Sequence, residues 1–346
     1  MSRTMTSVER VSAAIELRAP DRVPVDLHNF QPAALATGLP LREVFQDGEL
    51  LAQAMLDAWR EFRHDMILLE NGTACSAQAC GVEVVYRDDA APAAHVPAIG
   101  RIEDVGRLRV PDPETTFPMC EIIKASRILV AEIGDRAWIC ARADQGPMDL
   151  AAQVVSMDEL LIAMATGEKD EDVFRLLDYC RQVGTRYALA LMATGAHSTS
   201  IGEPVAGPDV ISPAMYRKYP WRFEKQMADD LRAAGIVLHN HICGNAVPIV
   251  EDFIATGAQV LEVDHKADPR RMKDAARHRA CLLGNIDTGL MMSGTPNDVD
   301  AACRELIEAW KPDSGFILGP GCALGATTPP DNIRALVASA GRYGGY

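Results

Sequence analysis

Short apolar segments alternate with longer amphipathic segments along the chain, most regularly in its C-terminal half. There, each apolar run of strand length is followed by a stretch with the 3.6-residue periodicity of a helix. Thr295 and Pro296, for example, are the residue types favoured at a helix N-cap and at the first helical position. The predicted strands are 235–240, 258–265, 280–287 and 315–321, and the predicted helices are 247–257, 269–278, 295–310 and 330–341.

Further strand candidates precede this half, at 22–28, 65–70, 138–143 and 197–202. Strands that alternate with helices are typical of parallel pairing through crossover helices. Eight such units predict an α/β fold, a single (β/α)8 TIM barrel with N-terminal additions, in one domain over residues 1–346. The alternating segment 81–89 and the Pro-rich, charged segment 101–118 predict a β excursion beside the barrel after strand two, within residues 81–120.

The composition is typical of a globular protein with a large core. Of 346 residues, 48% are hydrophobic and 24% are charged, and the formal net charge is −14. Since no run of Lys or Arg stands out, we expect no nucleic-acid partner. The start of the chain lacks the apolar region of a signal peptide, and no apolar run approaches the roughly 20 residues that span a bilayer. We therefore expect a cytoplasmic protein without membrane association.

Polar residues stand where the predicted strands end, which is where the active site of a TIM barrel lies. The candidates for substrate binding are His28, Asn29, Glu70, Gln145, Glu203, His239, Asp264, Asn285 and Asp287. Asp287 is equally suited to be a catalytic carboxylate or a helix cap, and Glu203 is similarly ambiguous. Cys75 and Cys80 form a C-x4-C pair, but their segment has a helical pattern and we interpret them as packing residues.

The segment VLHNHICGN, residues 237–245, raises the question of a metal site. His241 and Cys243 are two residues apart, so extended backbone would point both to one side. Cys322 lies just beyond the last strand, in the glycine-rich stretch GPGCALG. Two thiolates and one imidazole suit Zn²⁺, and three protein ligands leave its fourth position open, as in catalytic sites. The alternative is that the histidines are core or substrate-contacting residues and that Cys243 is a plain buried thiol.

The charge of such a centre favours one class of chemistry. Zn²⁺ with two cysteinates is formally neutral, so it is less suited to water-driven hydrolysis than zinc held by three histidines. It would still bind and deprotonate an incoming thiol, and the sulfur ligands would keep that thiolate nucleophilic. Alkyl transfer to or from sulfur is therefore the hypothesis, with the bound substrate thiolate rather than a protein side chain as the reacting group.

Several motifs resemble the uroporphyrinogen decarboxylase-like superfamily and, within it, the methylcobamide:coenzyme M methyltransferase branch. The resemblance covers most of the chain, and H-x-C ahead of a distant Cys is its most specific element. The matching stretches are VERVSAAIELRAPDRVPV from Val8, GEPVAGPDVISPAMYRKYPW from Gly202, HICGNAVPIV from His241, LGNIDTGLMMSGTP from Leu283 and GFILGPGCALGATTPPDNIRAL from Gly315.

The resemblance implies a (β/α)8 barrel with zinc held by His241, Cys243 and Cys322. It also implies that zinc activates the thiol of coenzyme M, which takes a methyl group from a methylated corrinoid protein. An arginine-rich R-Q-A-G-R-Y type signature of the decarboxylases has no counterpart near His28, so decarboxylation of a porphyrinogen is not expected. Glu203 stands where many relatives have aspartate, and it would either reach the zinc as an exchangeable ligand or reshape the pocket.

These observations predict a zinc-dependent methyltransferase that moves methyl between a cobalamin-type corrinoid on a separate protein and a small thiol, such as coenzyme M or homocysteine. The reverse direction is equally open. One alternative is a zinc-free enzyme that transfers methyl between a corrinoid and tetrahydrofolate, or a demethylase component. Another is a non-catalytic docking subunit for a corrinoid protein. Metal content distinguishes the zinc-dependent methyltransferase from these two alternatives.

Overall fold

The computed structural model describes residues 4–346 as an α/β fold. The strands are β1 Met66–Leu69, β2 Glu83–Val85, β3 Ala93–Val96, β4 Trp138–Gln145, β5 Ser198–Gly202, β6 Leu238–Ile242, β7 Val260–Val263, β8 Cys281–Ile286 and β9 Phe316–Pro320. The helices are α1 Ser7–Ile15, α2 Phe30–Ala36, α3 Leu41–Val44, α4 Gly48–Phe62, α5 Cys75–Ala79, α6 Met119–Ile133, α7 Pro147–Val155, α8 Met157–Thr166, α9 Asp170–Met192, α10 Pro213–Lys218, α11 Pro220–Ala233, α12 Val250–Ala255, α13 Pro269–Ala276, α14 Thr288–Ser293, α15 Pro296–Trp310 and α16 Pro330–Tyr343. Short 3-10 helices span Ile102–Arg107 and Val247–Ile249.

Seven parallel strands form the central sheet, in the order β1-β4-β5-β6-β7-β8-β9. Two residues close this sheet into a ring: Val25 pairs in parallel with Leu318 of β9, and Asp26 pairs in parallel with Met66 of β1. Backbone hydrogen bonds support both seams, from Asp26 N–H to Leu318 O (2.9 Å) and from Met66 N–H to Val25 O (3.0 Å). The (β/α)8 barrel expected from the sequence is therefore confirmed.

The first barrel strand is much shorter than the expected segment 22–28. Pro24 has no N–H to donate to a neighbouring strand, which limits the ladder on one side. His28 has a φ of 43°, so the extended backbone ends there. The first barrel strand therefore joins the ring through Val25 and Asp26 alone, because the backbone on either side of them does not continue the ladder.

The excursion after the second barrel strand is also present. β2 and β3 pair antiparallel in a separate two-stranded sheet, and the 3-10 helix Ile102–Arg107 follows them before α6 begins. Among residues 4–346, no helix combines the length and the apolar character that crossing a membrane requires.

Inward-facing side chains divide the barrel interior into levels. The lowest level is an apolar cluster in which Met66, Trp138 and Ile317 of the strands pack with Val11 and Ile15 of α1, so this helix closes the N-terminal end of the barrel. Alternate residues along the same strands face outward into the larger core beneath the surrounding helices. Towards the C-terminal ends the inward positions become polar, and the candidate site lies there.

Candidate metal centre

Three side chains meet at the C-terminal end of the barrel. His241 is the penultimate residue of β6, Cys243 follows that strand directly, and Cys322 lies just beyond β9. Their ligand atoms all lie within 4.8 Å of one another. His241 is buried and both cysteines are half-buried, so the cluster opens towards the barrel mouth. One imidazole and two thiols at this spacing form a donor set that fits Zn²⁺.

The imidazole of His241 is oriented by the neighbouring strand. Its Nδ1 lies 3.1 Å from the backbone carbonyl oxygen of Glu262 in β7, and a carbonyl can only accept, so Nδ1 carries the proton. In the neutral ring Nε2 is then the unprotonated nitrogen, and it lies 3.0 Å from Sγ of Cys243. A histidine held by a backbone carbonyl through one nitrogen and free to ligate through the other is the usual arrangement at metal sites.

The two thiols are electrostatically linked. A hydrogen bond from Cys243, assisted by His241, lowers the pKa of Cys322 far below its usual range. The same hydrogen bond raises the pKa of Cys243. The pair therefore favours one thiolate and one thiol that share a proton, and a cation that bound here would replace that proton.

Loop backbone around the thiols is held by two of the candidate polar residues. Asp264 accepts hydrogen bonds from the N–H groups of Gly244 (2.8 Å) and Lys266 (2.9 Å). Asn285 donates from its side chain to the backbone carbonyls of Asp264 and Ala267, each at 3.1 Å. Asp264 and Asn285 thus position the segments that follow β6 and β7.

Gly321, beside Cys322, allows the loop after β9 to come close to the loop after β7. A Cβ atom at Gly321 would lie 2.5 Å from the backbone nitrogen of His265, closer than real side chains come. Glycine at this position therefore lets the segment after β9 pack against the segment after β7, which places Cys322 opposite His241.

A buried charge network lies in the barrel beside the three ligand candidates. Arg142 contacts Glu70 (2.9 Å between Nε and Oε2) and Glu262 (3.2 Å between the guanidinium and Oε2). Glu70 also contacts Nε2 of His28 at 3.0 Å, and Ser200 donates to Glu262 at 2.6 Å. Burial opposes a charge on His28, but the carboxylate of Glu70 outweighs it and raises the pKa of His28 to about 9.

Arg142 and Glu262 also lie beside the candidate site, although neither was among the candidates chosen at the strand ends. Both stand inside a strand rather than after it, in WICARADQ and in VLEV. A charged residue at an inward position of an otherwise apolar strand must find a partner across the barrel. A charged residue at an inward position of an apolar strand is therefore the sequence feature that could have identified both residues.

Glu203 lies at a helix terminus in the structure. Its two carboxylate oxygens accept hydrogen bonds from the backbone N–H groups of Met148 (3.0 Å) and Asp149 (2.9 Å), in the first turn of α7. Gly146, the N-cap of α7, has no side chain to do this, so Glu203 supplies the cap from β5. Burial, and after it the nearby Glu224, raises the pKa of Glu203 well above its usual range.

The other candidates are distributed around the mouth and below it. His239 is fully buried beneath the ligand cluster, and burial lowers its pKa to about 4. Asp287 is exposed and caps α14 through the N–H of Gly289 (2.7 Å), which is the helix-cap role. Gln145 is buried beside Asp144. Asn29 follows His28 and buries an amide nitrogen that has no hydrogen-bond partner among the described residues.

The structure is thus a (β/α)8 barrel that carries a candidate metal centre, a His-Cys-Cys cluster, at its C-terminal face. The chain belongs to the uroporphyrinogen decarboxylase (URO-D) family, whose model matches residues 6–343. It is 30% identical over 224 residues to the methylcobamide:CoM methyltransferase MtbA of Methanosarcina acetivorans. That match covers 64% of this chain and 63% of the relative. It is 23% identical over 303 residues to the uroporphyrinogen decarboxylase of Coxiella burnetii, covering 84% and 80% of the two chains.

Among solved structures, a methyltransferase from Methanosarcina mazei superposes with a TM-score of 0.89 at 25% sequence identity. The superposition covers 98% of this chain and 99% of that one, so the whole barrel, including its additions, is shared. The matched region of the methylcobamide:CoM relatives is just under two thirds of their length, at 63%.

Proposed function

We propose that the protein is a zinc-dependent methyltransferase that moves a methyl group between a methylated corrinoid protein and a small thiol such as coenzyme M or homocysteine. The observation that carries this proposal is the meeting of His241, Cys243 and Cys322 within 4.8 Å at the barrel mouth. Relatives named methylcobamide:CoM methyltransferase support it.

His241, Cys243 and Cys322 would hold the zinc ion, and the ion would supply Lewis acidity that lowers the pKa of an incoming thiol. The backbone carbonyl oxygen of Glu262 accepts a hydrogen bond from the Nδ1–H of His241, which leaves Nε2 of the neutral ring available to the metal. Asp264 and Asn285 keep the two loops in place. The thiol proton leaves to solvent, the new S–C bond forms from the sulfur electron pair, and the Co–C bond breaks with its pair left on the corrinoid.

We propose that the corrinoid arrives on a separate protein, as the resemblance to the methylcobamide:coenzyme M methyltransferases implies. It would approach the exposed mouth, where both half-buried cysteines lie. This reaction needs no carboxylate as a general base, because binding to the metal ion would already deprotonate the thiol. We propose a cytoplasmic location on the basis of the sequence alone.

Zinc content is the test of this proposal. We expect about one zinc per chain in the wild type, and loss of zinc in Cys243→Ala and in Cys322→Ala, because each removes one of three ligands. Cys120→Ala is the matched control, since Cys120 is also half-buried but lies on α6. Elemental analysis of the purified proteins gives the answer.

Zinc that is absent from the wild type, or that stays in both ligand variants, would contradict the proposal. Methyl transfer from a methylated corrinoid to tetrahydrofolate by the zinc-free protein would then identify a pterin enzyme. Failure with every acceptor would leave a docking subunit.

A further inference from the structure

Two of the nine cysteines combine close contact with access to solvent. Cys243 and Cys322 are both half-buried, and their sulfur atoms lie within 4.8 Å of each other at the barrel mouth. A hydrogen bond already joins the two thiols. Six of the other cysteines are buried, and the remaining one, Cys120, is half-buried on α6. Contact and exposure are the two conditions under which an oxidant can join a pair of thiols.

Both cysteines stand in loops, which leaves their sulfur atoms room to come closer. Cys243 lies just after β6, and Cys322 lies just after β9. A disulfide requires a separation of about 2.05 Å between its sulfur atoms. Rotation of the side chains and a small movement of the loops can bring the atoms to this distance, because neither cysteine belongs to a strand or a helix.

A metal ion and a disulfide compete for the same two sulfur atoms. Zinc binds the thiolate form of cysteine, whereas a sulfur atom in a disulfide carries no negative charge and is a poor ligand. Oxidation of the pair would leave His241 as the last of the three candidate ligands. One imidazole does not hold the ion, since zinc sites use at least three protein ligands.

We propose that Cys243 and Cys322 form a site of reversible oxidation, in which a disulfide between them expels the metal and inactivates the centre. This inference rests on the proposed function, because it concerns the regulation of the same centre. The Sγ–Sγ bond forms as the two sulfur atoms lose two electrons to an oxidant such as an azo compound or a peroxide.

The protons of this step come from different sources in the two forms of the protein. In the metal-free chain, two S–H bonds break and their protons go to the reduced oxidant. In the zinc-loaded chain, two Zn–S bonds break, Zn²⁺ leaves to solvent, and water supplies the protons. A dithiol reductant returns two electrons and two protons, which breaks the Sγ–Sγ bond and restores both thiols.

The first test oxidises the wild type after a chelator has removed its metal. Diamide is the probe, because its azo group takes two electrons and two protons from a pair of thiols. We expect the thiols that can be titrated after unfolding to fall from nine to seven per chain. Non-reducing peptide mapping by mass spectrometry should show Cys243 joined to Cys322, and dithiothreitol should restore the two lost thiols.

The second test follows the release of zinc from the loaded protein with a colorimetric zinc indicator. We expect one zinc ion to be released for each disulfide that forms. Disulfide formation should be at least about tenfold slower than in the metal-free chain, because zinc engages the reactive electron pairs of both sulfur atoms. The released zinc should bind again after dithiothreitol has been added and removed.

Single substitutions provide the controls. Metal-free Cys120→Ala should lose two thiols to diamide, as the wild type does, because Cys120 is half-buried but lies on α6. Cys243→Ala and Cys322→Ala should each keep all eight of their thiols, because the remaining cysteine of the pair has no partner in contact. The peptide map of the wild type needs no variant, so it decides the question even if a substituted chain does not fold.

A metal-free wild type that keeps nine thiols, or whose disulfide joins other cysteines, would overturn the inference. Zinc that stays bound while the disulfide forms would also overturn it. These outcomes do not alter the zinc content of the untreated protein. They are therefore distinguishable from a failure of the proposed function, in which the purified wild type holds no zinc.

Discussion

Individual ionisable residues are buried in two contrasting ways in this protein. Arg142 is charged and held by two carboxylates, so its desolvation is compensated. His64, just before β1, is buried with no hydrogen-bond partner for either ring nitrogen among the described residues. Burial therefore lowers the pKa of His64 to about 4, and the ring is neutral in the folded protein.

The burial of His64 predicts a loss of stability in acid. In the unfolded chain a histidine titrates near 6.5, so between about pH 6.5 and pH 4 the unfolded state binds the proton and the folded state does not. As the pH falls through this window, the free energy of unfolding should therefore fall by up to about 3 kcal/mol because of this group, at about 1.4 kcal/mol for each unit of pKa difference. His64→Leu should remove that part of the pH dependence in denaturant titrations at pH 7 and pH 4.

His95→Leu is the control for this experiment, since His95 lies exposed on β3. It should show the same pH dependence as the wild type. Equal pH dependence in His64→Leu and the wild type would show that His64 is not the acid-sensitive group.

At the scale of elements, helix α1 closes the lower end of the barrel and is held there by ion pairs. Asp65, which precedes β1, accepts from Arg10 of α1 at 2.7 Å and from Arg22 at 2.8 Å. It also accepts from the hydroxyl of Ser7 and from the N–H of Val25. One carboxylate thus joins α1 to the first barrel strand.

We expect Asp65→Ala to lower the free energy of unfolding by about 3–5 kcal/mol, because it leaves the buried Arg10 without one of its carboxylate partners. Urea unfolding measures this loss. Glu16→Ala is the control, because its pair with Arg18 is exposed and should contribute less than about 1 kcal/mol. Similar effects of the two substitutions would show that the link from α1 through Asp65 to the first barrel strand contributes little.

At the scale of the whole molecule, the candidate ligands come from separate parts of the ring. His241 lies in β6 and Cys243 follows it, Cys322 follows β9, and β7 and β8 lie between these strands. A metal ion would therefore tie together two loops that are not neighbours in the sheet. We also propose that residues 1–346 form one domain, since the N-terminal helix and the C-terminal strand both contact the same barrel interior.

Metal removal should consequently lower the melting temperature of the wild type. A ligand at about 100 times its Kd adds about 2.7 kcal/mol to the free energy of unfolding. A chelator should abolish this contribution, whereas Cys243→Ala should melt at the same temperature with and without chelator. Scanning calorimetry of both proteins distinguishes the outcomes, and a wild type that is indifferent to chelator would contradict a structural link through the metal.

The sequence by itself determined the order of strands and helices, because hydrophobic periodicity is local and reports which face of each segment is buried. It also identified His241, Cys243 and Cys322 as candidates, since the first two are only two residues apart in the chain and the third follows a predicted strand. The rule that strand ends gather at one face brought them together without knowledge of distances.

Only the tertiary structure decided which charges neutralise each other and which carboxylates serve the backbone. Arg142 and Glu262 are 120 residues apart, and their side chains meet inside the barrel because β4 and β7 both face its interior. The sequence around Glu203 suits a site residue and a structural residue equally, and only its contact with the N-terminus of α7 shows the structural role. Long-range pairing of this kind depends on the separation of atoms across the closed ring, and no local pattern in a single chain records that separation.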